Sequence, residues 1–344
     1  MLTINGRFRL GPQTGVQRVA TELLSRLALN IREVQPAHRR NQLCGHAWEQ
    51  AVLPARLNGQ PLWSPCNTGP IAVASQVVTL HDAAVFDHPE WFSRSFLLVY
   101  RTLWPLLAKR SRRIVTVSQY SRDRLAAALG INAARIEVVA NGVSPMFRPV
   151  PEAAAALVAE RYGVVPGRYF ATLSTIEPRK NLGLVLTAWE RARVHCPSDM
   201  QLLVIGGGGA SHVFARGNEL ATGEQVLRGG FVPDGDLPAL IGGARALLYP
   251  SRYEGFGLPI LEAMACGTAA VTTALTSLPE VGGDAALYID PDDADGLAQL
   301  IGKLAASDAF CADRGEAGLA RAAPFSWDAA AEQMRTILIR DLRL

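Results

Sequence analysis

The chain has 344 residues, 49% of them hydrophobic and 19% charged, which allows a large buried core and favours two domains. No run of 18 uncharged apolar residues occurs, so no transmembrane helix is expected, and the first residues lack the basic and apolar segments of a signal peptide. The net charge is +3, and the sequence contains no RNP-like, zinc-finger or basic-zipper pattern, so no nucleic-acid partner is expected.

Cysteines and other metal-binding residues are scattered along the chain. No Cys-x-x-Cys pair occurs among Cys44, Cys66, Cys196, Cys266 and Cys311. This spacing fits a reducing cytoplasm and indicates neither a disulfide framework nor a zinc site. We therefore expect no metal and no other cofactor.

Charge is divided unevenly between the two halves. Residues 1–150 contain 18 Lys and Arg against 8 Asp and Glu, a balance of +10, and the remaining residues carry −7. The basic half should attract an anionic partner, such as the inner face of the cell membrane or a pyrophosphate-linked lipid.

Short apolar runs alternate with helical patterns, which is typical of parallel sheets flanked by helices. The predicted strands are Gln76–Leu80, Arg113–Val117, Glu137–Ala140, Tyr169–Ser174, Leu202–Gly206, Ala244–Tyr249 and Ala270–Thr273. The predicted helices are Val19–Leu29, Ser121–Leu129, Leu182–Val194, Gly296–Ala305 and Trp327–Leu344. A turn and three prolines at residues 142–152 predict the linker between two domains.

Two features of the first half are candidates for ligand contact. Thr14 can cap the helix that follows it, and Gly15 would let the backbone approach a ligand, although loop chemistry alone also explains them. His81 leaves a predicted buried strand at its carboxyl end and could donate a hydrogen bond to a ligand. Asp82 could orient His81 or cap the next turn, and a structural His remains the alternative.

Residues 90–113 are both aromatic and basic. Aromatic and apolar residues recur at helical spacing from Trp91 to Leu107, and five basic residues lie between Arg101 and Arg113. Such a segment could lie in a membrane interface with its aromatic face inward, or it could be a core helix with a solvated end.

Arg179 and Lys180 follow a predicted strand and open the next helix. Two cations at the carboxyl edge of a sheet could hold a diphosphate and stabilise the charge that grows on a departing phosphate. A solvated pair is the alternative, although cations at a helix start oppose its dipole.

Three further patterns are less specific. Gly206 opens a run of four glycines after a predicted strand, which matches a dinucleotide-binding fingerprint only weakly. The Asp-x-Asp pairs that end at Asp236 and Asp295 resemble metal-binding signatures, but both precede predicted helices and capping explains them.

The segment from Tyr249 to Thr268 is the most informative. Glu254 and Glu262 have seven residues between them, and a Gly-Phe-Gly loop and the start of a short helix lie in that interval. Pro259 suits a first helical turn, and Gly267 can end the helix in a left-handed conformation.

The N–H groups of this loop and helix start would form a site for an anion such as a phosphate. Two carboxylates beside that site suit a ligand that has both phosphates and hydroxyls, which describes a nucleotide sugar.

The string Ser-x-x-Glu-Gly-Phe-Gly-Leu-Pro, residues 251–259, resembles the nucleotide-sugar site of glycosyltransferase family 4, whose members are retaining enzymes with the GT-B fold. The resemblance spans nearly the whole chain. It implies an α/β protein of two Rossmann-like domains with parallel sheets facing across a cleft. Residues 1–148 would be the acceptor-side domain, residues 149–326 the nucleotide-sugar domain, and the helix 327–344 would pack back on the first domain.

The resemblance also implies roles for individual residues. Glu262 would bind the ribose hydroxyls, Glu254 the hydroxyls of the transferred sugar, and His81 would lie beside the reaction centre. The diphosphate would be held by Arg179 and Lys180 with the backbone of Gly255, Phe256, Gly257 and Leu258, and the loops at Gly15 and Gly206 would lie near the donor. Lys180 matches the family's lysine, whereas Thr175 occupies the place of its arginine and Arg179 is adjacent instead.

The expected function is a metal-independent retaining glycosyltransferase that acts by front-face attack, with the donor a GDP- or UDP-sugar. Mannose from GDP-mannose is the preferred interpretation, because the resemblance is to mannosyltransferase-like relatives. The acceptor would be a glycan or a lipid pyrophosphate in cell-surface polysaccharide assembly, at a cytoplasmic location. The alternatives are a nicotinamide-dependent oxidoreductase that uses the Gly206–Gly209 loop and a non-catalytic membrane-associated scaffold.

Overall fold

The chain folds into two compact units, each built on a six-stranded sheet whose strands are all parallel. The computed structural model describes residues 1–10, 14–37, 42–173, 177–206 and 223–344. Two parallel sheets flanked by helices confirm the α/β class that the alternating sequence pattern predicts.

The first unit comprises Met1–Pro89, Arg94–Gly142 and Phe325–Leu344. Its strands are β1 Leu2–Asn5, β2 Ile31–Val34, β3 Leu62–Ser64, β4 Gln76–Thr79, β5 Arg113–Thr116 and β6 Ile136–Val138, in the spatial order β2-β1-β3-β4-β5-β6. The helices up to the end of its sheet are α1 Gly15–Arg26, α2 Gln42–Ala47, α3 Leu53–Arg56, α4 Ala84–Asp87, α5 Arg94–Arg110 and α6 Gln119–Leu129.

The second unit comprises Glu90–Ser93 and Val143–Pro324. Its strands are β7 Tyr169–Leu173, β8 Gln201–Ile205, β9 Val226–Gly230, β10 Ala246–Tyr249, β11 Ala269–Thr273 and β12 Leu287–Ile289, in the order β12-β11-β10-β7-β8-β9. Its helices are α7 Glu152–Glu160, α8 Leu182–Ala192, α9 Leu237–Gly242, α10 Leu258–Ala265, α11 Leu278–Gly282, α12 Ala294–Ala306 and α13 Asp308–Ala322.

The core of the second unit lies where α8 and α12 cover its sheet. Trp189 on α8 packs against Phe170 on β7 with 6.1 Å between ring centroids, and Ile301 on α12 joins the same buried cluster. Each large apolar side chain buried in this way contributes roughly 1.5–3 kcal/mol to folding. This core holds the strands rigidly at the edge from which the site described below projects.

The last helix, α14 Trp327–Leu342, belongs to the first unit, where it packs against α1 and β4. Arg113 on β5 bonds Asp341 of α14 at 3.0 Å. A Cβ atom at Gly142 would lie 2.1 Å from the backbone nitrogen of Trp327, so only glycine allows the two chain segments to approach here.

Five of the twelve strands in the described residues lie outside the predicted set, namely β1, β2, β3, β9 and β12. Four of them mix polar residues or glycines with apolar side chains, as in Ile31–Val34, and β12 is apolar but only three residues long, so none has the longer apolar run used to find buried strands. The first helix also begins earlier than predicted, at Gly15, with Thr14 as its N-cap residue.

The aromatic face of α5 contacts the interior of the first unit through Trp104. Trp104 is buried, its indole N–H donates to the carbonyl of Asn67 at 2.7 Å, and Phe96 stacks on Tyr100. Trp104 thus agrees with the core-helix alternative, whereas Phe96 and Tyr100 are only half-buried. None of the helices in the described ranges is long and apolar enough to span a bilayer.

Candidate functional site in the second unit

The site lies at the carboxyl ends of β7 and β10, which are neighbours at the centre of the second sheet. A 3-10 turn, Pro178–Lys180, follows β7, and the loop 250–257 follows β10 and leads into α10. Because parallel strands end at the same edge, the sequence segments that contain Lys180 and Glu254 meet there. The Arg179 carbonyl accepts a hydrogen bond from the Arg252 N–H at 2.8 Å and ties the two loops together.

The helix α10 begins and ends as its sequence predicts. Gly257 is the N-cap residue with a φ of +113°, Pro259 lies in the first turn, and Gly267 follows the helix with a φ of +75°. A Cβ atom at Gly257 would also lie 2.9 Å from Leu278, so glycine is required here for conformation and for space.

The start of α10 presents two backbone donors, the N–H groups of Gly257 and Leu258. Neither the N–H of Gly257 nor that of Leu258 has a hydrogen-bond acceptor in the described part of the chain. The Ser277 hydroxyl lies 2.9 Å from the carbonyl oxygens of both Glu254 and Phe256, which fixes the path of the loop. Unpaired N–H groups at the positive end of a helix favour an anion.

Glu254 is buried, with 7% of its surface exposed, and its carboxylate is surrounded by donors. Its Oε1 accepts hydrogen bonds from the Lys180 ammonium at 2.8 Å and from the Tyr249 hydroxyl at 2.7 Å, and it lies 2.7 Å from the Ser251 hydroxyl oxygen. Its Oε2 is 3.4 Å from the Arg179 guanidinium. The structure thus brings together Glu254, Lys180 and Arg179, and the direct ion pairs between them were not part of the prediction.

The charged groups of this cluster shift one another's pKa values. Burial alone would raise the pKa of Glu254, but Lys180 and Arg179 together lower it to about 2. Burial and the neighbouring Arg179 lower the pKa of Lys180, and Glu254 opposes that change. Glu254 is therefore ionised at neutral pH and is a weak base.

Arg179 is held by a second carboxylate. Its Nε donates to Glu177 at 2.7 Å, so Arg179 and Lys180 are balanced by Glu177 and Glu254. The assignment of Thr175 to the family's arginine position lies outside the described residues, and whether Arg179 replaces that arginine stays a prediction.

Glu262 is also buried, in the second turn of α10. The pKa of the Cys266 thiol is raised to about 12, mainly by burial and next by the negative charge of Glu262. The structure thus places Glu254 and Glu262 on either side of the Gly255–Leu258 loop and helix start. Ribose binding by Glu262 stays a prediction.

His81 lies in the first unit and differs from its predicted role as a hydrogen-bond donor. Its Nε2 is 3.0 Å from the carbonyl of Pro65, and burial lowers its pKa to about 4. Because a carbonyl can only accept, the single proton of the neutral ring is on Nε2 and is already used, so Nδ1 can only accept. The carboxylate of Asp82 accepts from the Ala84 N–H at 3.0 Å, which is the capping alternative.

The two predicted glycine contacts lie in different units. Gly15 is the exposed first residue of α1, and a Cβ atom there would meet nothing within 4 Å, so the fold itself does not require glycine. Gly206 follows β8 with a φ of +128°, and its N–H donates to the Gly230 carbonyl at 2.8 Å. The remainder of that glycine run lies outside the described residues.

The capping role predicted for the two Asp-x-Asp pairs is confirmed at Asp293 and wrong for Asp236, whose side chain makes no cap hydrogen bond. The Asp293 carboxylate accepts from the Gly296 N–H at 2.8 Å and caps α12, and Asp236 bonds Arg161 and Tyr162, each at 2.8 Å. In the described ranges, no group of three or more His, Cys, Asp or Glu side chains is placed to hold a metal ion.

Two residues of the cluster, Tyr249 and Ser251, are absent from the predicted site. Tyr249 ends an apolar strand, Ala-Leu-Leu-Tyr, and its sequence context therefore indicates core packing. The available signal was its position, because a hydroxyl on the last residue of a parallel strand lies at the ligand-binding edge.

Comparison with known proteins yields two family models that match successive parts of the chain. The model for Glycosyltransferase Family 4 matches residues 63–147, and the model for glycosyl transferases group 1 matches residues 165–321. The second match contains the whole Lys180–Glu254 cluster and α10.

Individual relatives are similar over most or much of the chain. The O-antigen chain mannosyltransferase B of Escherichia coli is 32% identical over 92% of this chain and 93% of its own length. A GDP-mannose-dependent α-(1-6)-phosphatidylinositol monomannoside mannosyltransferase of Mycolicibacterium smegmatis is 32% identical over 65% of this chain and 61% of its own length. Among solved structures, the Anabaena protein HepE in complex with UDP-glucose has a similar fold, with a TM-score of 0.76 at 18% identity over 98% of this chain and 99% of that chain.

Proposed function

Because the chain belongs to glycosyltransferase family 4, and its fold is the GT-B fold, we propose that it is a retaining mannosyltransferase that uses GDP-mannose. The observation that carries this proposal is the ionised Glu254 held by Lys180 and Arg179 beside the unpaired N–H groups of α10. The similarity to mannosyltransferases, one of them named as GDP-mannose-dependent, supports the choice of donor.

Different groups of the site contact the diphosphate and the sugar of the donor. The Gly257 and Leu258 N–H groups and the cations Lys180 and Arg179 take the diphosphate, and Glu254 takes hydroxyls of the mannose. Since the two cations are already balanced by carboxylates, the added attraction for the diphosphate comes largely from the helix start. Glu262 takes the ribose hydroxyls.

The transfer itself is a substitution at the anomeric carbon. The bond from that carbon to the β-phosphate oxygen breaks, an acceptor oxygen forms the new bond on the same face, and the acceptor's proton passes to the departing phosphate. Glu254 is a poor candidate for the base, because its pKa of about 2 leaves it almost no affinity for a proton at neutral pH. Fixed cations near the departing phosphate stabilise its new charge, which removes the need for a metal ion.

Donor binding is the direct test. GDP-mannose at 100 times its dissociation constant should stabilise the protein by about 2.7 kcal/mol, visible as a rise in Tm, and UDP-glucose and ADP-glucose should give a smaller rise. The rise should persist in EDTA. Slow hydrolysis of GDP-mannose, followed by NMR, should release the α-anomer first. Stabilisation by UDP-sugars alone would contradict the mannose assignment, and initial release of the β-anomer would contradict retention.

We further propose that the acceptor is a glycan or a lipid pyrophosphate and that the first unit touches an anionic membrane surface in the cytoplasm. The support is the outer side of α5, where Leu98 is 72% exposed and Leu106 is 43% exposed. These leucines line a groove of about 420 Å³ with Ile71, and the exposed Lys109 and Arg110 follow at the end of the helix. Exposed apolar side chains next to basic ones fit anionic lipid headgroups.

Vesicle sedimentation tests this contact. The protein should sediment with vesicles of phosphatidylcholine and 30 mol% phosphatidylglycerol, and the Leu98→Asp/Leu106→Asp variant should remain in the supernatant. Leu157→Asp, at an equally exposed leucine of the second unit, is the matched control and should sediment normally. Equal sedimentation of both variants would overturn the proposed surface.

A further inference from the structure

Tyr249 is a buried phenol that touches both charged residues at the centre of the site. It is the last residue of β10, 1% exposed, and its hydroxyl contacts the Lys180 ammonium and the Glu254 Oε1. The Lys180 nitrogen also lies 4.9 Å from the centroid of the Tyr249 ring. The side chain therefore has a packing role through its ring and a polar role through its hydroxyl.

The direction of the hydrogen bonds at Tyr249 is fixed by chemistry. An ammonium can only donate, so the phenol oxygen accepts from Lys180 and the single phenol hydrogen goes to Glu254. Burial and the nearby Glu254 raise the pKa of Tyr249 well above its usual value, so the phenol keeps its hydrogen at neutral pH.

The two carboxylate oxygens of Glu254 have different numbers of hydrogen-bond partners. Oε1 has Lys180, Tyr249 and Ser251 within 2.8 Å, which fills its acceptor capacity. Oε2 has one contact in the described part of the chain, to Arg179 at 3.4 Å, which is a long and weak hydrogen bond. Oε2 is therefore the oxygen with room for a further donor.

We propose that Tyr249 is a positioning residue that anchors Oε1 of Glu254 and thereby presents Oε2 to a hydroxyl of the transferred sugar. This inference rests on the proposed function. A carboxylate anchored through one oxygen cannot rotate about its Cγ–Cδ bond, so its second oxygen keeps a fixed direction. Tyr249 would then contribute to recognition of the sugar without contact to it. Lys180 keeps its bond to Glu254 and its contact with the Tyr249 ring when the hydroxyl is absent, so recognition of the diphosphate should change little.

Tyr249→Phe removes only the hydroxyl, because the ring and its contact with Lys180 remain. Calorimetry should measure the affinity of each variant for GDP-mannose and for GDP, because the ratio of the two affinities reports only the sugar. We expect Tyr249→Phe to lower this ratio about tenfold, as for loss of a hydrogen bond to a charged group, and to leave the affinity for GDP within twofold.

Tyr169→Phe is the matched control. Tyr169 is equally buried on the adjacent strand β7, but its hydroxyl donates to the Leu240 carbonyl at 2.6 Å. This variant should lower Tm and leave the GDP-mannose to GDP ratio unchanged, which separates loss of packing from loss of positioning.

A double-mutant cycle tests whether Tyr249 acts through Glu254. Glu254→Gln should abolish the preference for GDP-mannose over GDP, and Tyr249→Phe added to it should lower the ratio no further. An unchanged ratio in Tyr249→Phe, or a second tenfold loss in the double variant, would overturn the inference while leaving the proposed function intact. No binding of GDP-mannose by the unaltered protein would overturn the proposed function, and this inference with it.

Discussion

Glu254→Gln is expected to lower kcat/KM for sugar transfer about a thousandfold, which corresponds to about 4 kcal/mol of transition-state stabilisation. The amide has the volume of the carboxylate but carries no charge, so it cannot accept strongly from a sugar hydroxyl. Initial rates with labelled GDP-mannose measure the loss.

The affinity for GDP distinguishes this mechanism from general damage. Lys180 and Arg179 lose an internal counter-charge in Glu254→Gln, so they should bind the diphosphate at least as tightly as before. GDP affinity should therefore be kept or increased while transfer is lost. A parallel loss of GDP binding would show that Glu254 holds the nucleotide rather than the sugar.

Acid unfolding provides a second measurement on the same variant. A carboxylate whose pKa is lowered from 4.5 to about 2 by folding stabilises the protein above pH 4.5, and this contribution is lost as pH falls from 4.5 towards 2. It amounts to about 3 kcal/mol. Glu254→Gln should lack this part of the acid transition, and Glu190→Gln, on the exposed side of α8, should keep it.

Lys180→Met is expected to lower kcat by a factor of about 10² to 10³, because the departing phosphate loses the fixed cation that offsets its charge. The chain contains only three lysines, at positions 109, 180 and 303, against 31 arginines. A compact ammonium is thus placed at the site although arginine is the usual cation of this chain. Single-turnover rates with GDP-mannose measure the effect.

Two further variants serve as comparisons for Lys180→Met. Lys303→Met, on α12, removes an ammonium that lies over the Phe310 ring and should leave transfer unchanged. Arg179→Met should cost less than Lys180→Met, because Arg179 is already bonded to Glu177 and reaches Glu254 only at 3.4 Å. A larger loss at Arg179 would identify it as the main phosphate-binding cation and would contradict the assignment of that role to Lys180.

The sequence predicts the fold best where its pattern is continuous. The strands β4, β5, β7, β8, β10 and β11 are apolar runs with turn residues at their ends, and each is found within two residues of its predicted bounds. The edge strand β2 is missed because one side of it faces solvent and its polar residues interrupt the run, and the edge strand β12 is missed because its apolar run is only three residues long.

Local geometry could be predicted where neighbouring residues in the chain determine it, whereas contacts between residues on distant strands could not. The α10 segment with its proline, glycine ends and two glutamates could be predicted, since its geometry follows from adjacent residues. That the Lys180 ammonium would bond Glu254, 74 positions away, follows from the adjacency of β7 and β10. No periodicity in the chain encodes this adjacency, and Tyr249 was missed for the same reason.

His81 illustrates a limit of another kind. Its place after β4 could be predicted, but the direction of its hydrogen bonds could not, because they depend on the Pro65 carbonyl in another loop. A role as an acceptor at Nδ1 is compatible with the structure, and a role as a donor at Nε2 is not.

The position of α14 in the first unit has a consequence for synthesis on the ribosome. The surface of the first unit that α14 covers stays open until all of residues 143–324 have been translated, whereas the second unit does not need α14. A premature stop codon before Trp327 would therefore leave the second unit complete, and the first unit would expose the apolar surface of α1 that α14 normally covers. Quality-control proteases should recognise such a truncated product through its N-terminal unit, which is translated first, rather than through its C-terminal residues.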